Sequence, residues 1–474
     1  MKNTLFLKHI QHLATQDSIL GELRNTSVFI RGNLIAGIGD SCPADAEHIA
    51  DVVIDASQHL VTPGLINTHH HMTQCLTRAV PAVQNAELFS WLRGLYPIWQ
   101  GITPPMVHSA TQVAMAELLL SGCTTTSDHM YAYPNGVRLD DSIHAAAEIG
   151  MRFTATRGAM SVGESQGGLP PDRLVERESD ILKETQRLLD TYHRPQHGSM
   201  LHIASAPCSP FTVSQDLMRE TAKLARSYGA RLHTHLAEND HDIAYTREKF
   251  NCTPTQYVEQ LGWVGADVWH AHCVKLDDAG IYLFAKTKTG VAHCPCSNMR
   301  LASGIAPVRR MLDAGVPVGL GVDGSASNDG AQMLGEARQA MLLARLGKSL
   351  DAPRTDAAGR TVFGCDTAPA EMGARDALAL ATTGGAAVLG RADIGRIAVG
   401  LCADLALWRL DTLLMAGGAI HDPVGALLLC APQQADYTIV NGRVVVAKGR
   451  LTTLEIEPLI ERHNAFARQL AEQR

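Results

Sequence analysis

The stretch LVTPGLINTHHH, residues 60–71, is an apolar run that ends in three consecutive histidines. Side chains alternate faces along a β-strand. His69 and His71 are therefore expected on one side, and His70 on the other, against the barrel wall or a neighbouring sheet. Two imidazoles two residues apart at a strand end form half of a metal site. The other half is expected at the ends of later strands, where His235 with Glu238, His272 and Asp323 stand.

Working outward from that run, the middle of the chain alternates helix and short strand. Ser214 can cap a helix whose Leu217, Leu224 and Tyr228 recur at helical spacing, Gly229 stops it, and a strand follows at once. The same punctuation recurs at Met106–Ser121 with Gly122, and at Ala306–Ala314 with Gly315. Strands are expected at 60–69, 122–129, 151–158, 199–206, 230–236, 267–272, 289–293 and 316–323. Eight βα units imply an α/β fold with a closed parallel (β/α)8 TIM-like barrel, here spanning residues 61–399. The two ends read differently. Ser27–Ile30 and Leu34–Ile38 flank Gly32-Asn33, and a later β-rich run at 437–447 is broken by Asn441-Gly442, a hairpin signal. With Ala403–Leu410 they predict a small β-sandwich domain built from residues 1–60 and 400–474, including a final helix from Glu457 to Gln473.

Composition narrows the function. Hydrophobic residues make up 46% and charged residues 19% of the 474, which suits a large core and argues against disorder. A net charge of −7 argues against nucleic acid or an anionic membrane as partner. No stretch of about 18 apolar residues suggests a membrane helix. The N-terminal MKNTLFLKHIQHL lacks the apolar core and cleavage site of a secretory leader. Eleven cysteines without framework spacing fit free thiols in the cytoplasm. In that compartment the sequons at Asn25 and Asn251 are chance matches.

Active sites of such barrels lie at the C-terminal strand ends, and the polar residues collect there. Zinc suits imidazole nitrogen plus one carboxylate, with a position left for water whose pKa falls to about 7. The first strand offers His69 and His71, the fifth His233 or His235 on one face, and the eighth Asp323. Glu238 can enter the site without binding metal and protonate a ring nitrogen. Asp323 can move a proton from water to a leaving amine, and His272 can orient the attacking oxygen. The fourth strand, His202 to Cys208, has no lysine to bridge two ions, so a single metal is expected. Arg157 and His129 end strands at the same mouth as possible polar lining. Met130, Met160, Cys294 and Cys296 read as packing. A dead barrel serving as a scaffold is the competing class, and the intact set of ligands and acids argues against it.

These residues are familiar as a set. Pro63 to His71, His235-Leu-Ala-Glu238, His272-Cys273, His293 to Asn298 and Gly321-Val-Asp323-Gly324 resemble, in order, the motifs of the amidohydrolase superfamily. Leu301 to Pro307 is similar to its nucleobase and adenosine-type deaminase branch. The resemblance covers nearly the whole chain. It selects His235 over His233, giving His69, His71, His235 and Asp323 as ligands of one zinc ion per subunit, with iron or manganese as alternatives. It implies the catalytic roles given above for Glu238, His272 and Asp323. Gln74 resembles a glutamine that reads the base in guanine deaminases, and Trp91 a base-stacking aromatic. Pro207-Cys208-Ser209 departs from the Arg-Phe pair those enzymes carry. Gln74, Trp91 and Cys208, as substrate-binding residues, look closest to the 8-oxoguanine deaminases, a group similar to hydroxyatrazine-type aminohydrolases. The implied reaction is 8-oxoguanine to urate and ammonia. An s-triazine, guanine or isocytosine is the alternative substrate, and a homo-oligomer the expected assembly.

Overall fold

A computed structural model describes residues 4–472. Eight parallel strands close into a barrel in sequence order: β1 (Leu65–Asn67), β2 (Cys123–Met130), β3 (Arg152–Ala159), β4 (Leu201–Pro207), β5 (Arg231–Leu236), β6 (Val268–His272), β7 (Gly290–His293) and β8 (Val318–Leu320). Every one of these strands begins within two residues of its expected start except the first. The helices between them follow the expected punctuation. Gln215–Ser227 starts under Ser214, whose side chain accepts from Leu217 N–H. Gly315 ends Val308–Ala314 with a left-handed cap.

The first expected strand divides. His59–Pro63 leaves the barrel and pairs antiparallel with Leu405–Arg409, while Leu65–Asn67 enters it. The break falls at Gly64, where a Cβ would lie 2.2 Å from the Thr124 side chain. Only a residue without a side chain lets the backbone pass the second barrel strand that closely. The eighth strand is also shorter than expected. Its end, Asp323–Gly324, forms a separate parallel bridge with His70–His71.

Strands from both ends of the chain join in one nine-stranded mixed sheet. Its first strand, Thr4–Ala14, was not expected from the sequence. His9 at φ 55° and a register shift between Leu7 and Ile10 break the apolar alternation that would have announced it. The Asn441-Gly442 turn joins Tyr437–Val440 to Arg443–Ala447, as expected. Sheet and barrel are joined by Arg152, whose side chain is fully buried. It donates to Asp404 at 2.8 and 3.2 Å, to Asn441 at 3.0 Å and to the Ser199 carbonyl at 2.7 Å. The last helix, Ile456–Glu472, lies against Pro104–Leu120 and the segment 72–77. The expected final residue of that helix, Gln473, lies outside the described residues. No helix among the described residues is long and apolar enough to cross a membrane.

Candidate active site

The C-terminal end of the barrel gathers five of the expected residues at one point. The β1 and β8 ends are locked together: Thr68 N–H donates to the Leu320 carbonyl, Val322 N–H to Asn67 Oδ1 and Asp323 N–H to the His69 carbonyl, at 2.8, 2.9 and 3.0 Å. This places Asp323 Oδ1 at 3.3 Å from Nε2 of both His69 and His71. Nε2 of His71 and Nε2 of His235 are 3.1 Å apart. Ligand-type atoms of His69, His235, His272 and Asp323 lie within 4.8 Å of one another. Asp323 and His272 hold φ of 60° and 71°, a region costly for residues with side chains. Such strained backbone collects where function needs it.

The outer ring nitrogens decide what the inner ones can do. His71 Nδ1 lies 2.7 Å from the His129 carbonyl and His235 Nδ1 2.7 Å from the Cys208 carbonyl. A carbonyl only accepts, so both Nδ1 atoms carry the proton and both Nε2 atoms are lone pairs. His233 Nδ1 likewise donates to the Trp269 carbonyl, 2.9 Å, which leaves its Nε2 to accept from His69 Nδ1 at 2.8 Å. The remaining atom, His69 Nε2, is buried with no hydrogen-bond partner. Three lone pairs and a carboxylate oxygen thus converge with no proton between them. That arrangement is repulsive alone and fits a cation. His233 is thereby the partner that orients His69.

Burial lowers the pKa of His71, and holds His69 well below the usual range and His235 at about 3, so all three rings are neutral at physiological pH and could serve as ligands. Burial would raise Asp323, but His69, His272 and His71 outweigh it and keep it ionised. Ser297 and Ser327 donate to its Oδ2 at 2.6 and 3.1 Å, which turns Oδ1 toward the imidazoles. Neither serine was singled out from the sequence, although Ser297 and Asn298 lie inside the quoted His293–Asn298 motif.

Glu238 stands beside the cluster, 4% exposed. Its backbone N–H is held by Asp242 at 3.1 Å, its Oε2 is 3.5 Å from His272 Nε2, and its Oε1 is buried without a partner. Burial pushes its carboxyl up to about 7, against the pull of His272. Burial lowers His272, but Glu238 and Asp323 outweigh it and leave the ring raised, while Asn298 fixes its Nδ1 side at 3.0 Å.

Above this floor is a small cleft. Gln74, Trp91 and Cys208 all line it, with Tyr96, Tyr131 and Phe211. Met72 N–H donates to Asp128 at 2.8 Å, which anchors the turn Met72–Thr77 that carries Gln74. Gly324 leaves room for that amide: a Cβ there would lie 1.8 Å from Gln74 Oε1. Trp91 is fixed by its indole N–H on the Ala326 carbonyl, 3.1 Å. Among the described residues, no lysine or arginine lines the cleft.

Arg157 and His129 do not line it. Arg157 lies 3.9 Å over the Tyr133 ring and pairs with Glu176 at 2.7 Å. The strand end turns its guanidinium toward that loop acid. His129 lies beneath, its Nε2 on the Ala206 carbonyl and its ring stacked on His235. Its ring nitrogens form with His69, His71 and His235 a second possible ligand group. His70 is buried outside the cluster, and Met130, Met160 and Cys294 are core residues.

Comparison with known proteins agrees with this architecture. The amidohydrolase family model matches residues 60–449. The 8-oxoguanine deaminase of Pseudomonas aeruginosa is 46% identical over 88% of each chain. An isoxanthopterin deaminase from an unknown prokaryotic organism is 37% identical over 83% of this chain and 81% of its own. The crystal structure of atrazine chlorohydrolase from Arthrobacter aurescens TC1, complexed with zinc, superposes with a TM-score of 0.89 at 31% identity, covering 98% of this chain and 100% of its own.

Proposed function

The chain belongs to the amidohydrolase family, and we propose that it is a hydrolytic deaminase that converts 8-oxoguanine and water into urate and ammonia. The observation that carries this reading is the pairing of a converging set of neutral imidazoles and one carboxylate with a protonatable acid, Glu238, at the floor of one cleft. The relatives named for 8-oxoguanine and isoxanthopterin support it, because both compounds carry an amino group on a ring carbon flanked by nitrogens, next to a lactam.

His69, His71, His235 and Asp323 would hold one zinc ion, and iron or manganese suits the same donors. The ion supplies the Lewis acidity that brings the pKa of water to about 7. Asp323 takes the proton from the attacking water, and His272, held by Asn298, hydrogen-bonds its oxygen. As that oxygen adds to C2, Glu238 protonates the adjacent ring nitrogen, so no anion builds up on the base. The C–N bond to the amino group then breaks as Asp323 returns its proton to the departing ammonia, and the C2 hydroxyl gives its proton back to Glu238, which leaves the C2 carbonyl of urate and restores the acid. Gln74 reads the lactam edge, Trp91 stacks on the ring, and Cys208 closes the wall. Eleven free cysteines fit a reducing cytoplasm.

The test is ammonia release by zinc-loaded protein from 8-oxoguanine, guanine, isocytosine and hydroxyatrazine, with urate followed by its absorbance. Urate formation at the highest kcat/KM of the panel is expected. Ethylamine release from hydroxyatrazine at a higher kcat/KM would replace this reading with a triazine hydrolase.

A further inference from the structure

The cleft holds two phenols that the reaction above does not use. Tyr96, on the helix Leu88–Trp99, is 1% exposed and lines the cleft. Its hydroxyl has no hydrogen-bond partner among the described residues. Tyr131 follows β2, and its oxygen receives only a long contact from Gln74 Nε2 at 3.5 Å, which leaves its own O–H unspent. Burial, reinforced by Cys208, holds both phenols well above their ordinary range, so both are O–H donors at neutral pH.

The two differ in their ring neighbours. The Tyr131 ring is 5.0 Å from His71 and 5.7 Å from His129, at the floor. Tyr96 meets the ring of Trp99 at 5.7 Å, Trp99 in turn meets Tyr131 at 6.2 Å, and among the described residues Tyr96 has no ring contact with an imidazole of the floor. A purine with C2 over the ligand cluster keeps its six-membered ring near the floor and carries C8 at the opposite end of the bicycle. An O–H left without a partner once a ligand excludes water is costly, and a carbonyl oxygen satisfies it where a C–H cannot. At the C8 end an 8-oxo group supplies that oxygen and guanine supplies a C–H.

We propose that Tyr96 recognises the 8-oxo group and makes an oxidised purine, rather than guanine, the preferred substrate. This rests on the deaminase reading above. Tyr131, beside Gln74, serves the six-membered ring that both purines share.

The experiment compares zinc-loaded wild type, Y96F and Y131F on 8-oxoguanine and guanine, with metal content measured for each. Guanine is read as a substrate or, where it is not turned over, as a competitive inhibitor. Y96F is expected to lower kcat/KM for 8-oxoguanine about tenfold or more, chiefly through KM, and to leave guanine within about twofold. Y131F is expected to weaken both. A Y96F enzyme that keeps the wild-type ratio between the two purines overturns the assignment, whether both values fall or neither does. A wild type inert on 8-oxoguanine overturns the deaminase reading itself and takes the role of Tyr96 with it.

Discussion

Nε2 of His71 faces Nε2 of His235 across 3.1 Å, and each ring has its other nitrogen committed to a backbone carbonyl. Two lone pairs at that separation repel unless a cation lies between them. The fold therefore holds in readiness a cluster that is unfavourable when empty. Dialysis against a strong chelator should lower Tm by about 4 °C, from the ~4 kcal/mol that a ligand at a thousandfold its Kd contributes. Stoichiometric zinc should restore it. H235A should bind less than about a tenth of the wild-type metal. A Tm indifferent to the chelator would contradict the ligand set.

His233 acts one bond away, through the Nδ1 of His69. H233A should keep the fold and still bind metal, but with affinity lowered about 10- to 100-fold. Competition against a chromogenic zinc chelator measures this. Unchanged affinity would show that His69 is oriented by packing alone.

Glu238 lines the cleft with its Oε2 3.5 Å from His272 Nε2 and its Oε1 buried without a partner. E238Q should retain full metal by elemental analysis and lose about 10²- to 10⁴-fold in kcat. Unimpaired turnover with full metal would remove Glu238 from the proton pathway.

Gly324 is packed against the Gln74 amide. A Cβ there drives the amide from its place, while the bridge of Asp323 to His70 remains backbone-held. G324A should raise KM about tenfold with metal content unchanged. Wild-type KM in G324A would mean that Gln74 does not read the substrate.

Arg152 and Asp404 join the barrel to the terminal sheet where neither reaches solvent. D404A leaves a buried guanidinium without its carboxylate, which costs about 3–5 kcal/mol. Calorimetry should show Tm lower by about 3–5 °C, with specific activity at 20 °C close to wild type. A small Tm change would show that Asn441 and the Ser199 carbonyl suffice for Arg152.

The barrel was legible because each strand ends where apolar residues give way to chemistry. His235, His272 and Asp323 mark β5, β6 and β8 in the sequence as they do in space. The division of residues 60–69 was not legible, because it depends on Thr124 pressing against Gly64 from another strand. The Thr4–Ala14 strand was hidden by its own bulge at His9. Arg157 and His129 share strand-end positions with the site residues, and a sequence cannot tell that one turns to Glu176 and the other lies beneath His235.

The order of residues alone determined the alternation of strand and helix, the strand-end chemistry and the choice of donor types, since all three follow from local periodicity and side-chain identity. Only the tertiary structure decided which nitrogen of each histidine carries its proton. Carbonyls of Cys208, His129 and Trp269 arrive there from other strands, and a hydrogen bond across the barrel has no trace in local sequence. The same holds for the unpartnered hydroxyl of Tyr96: the missing partner is a property of the space around it.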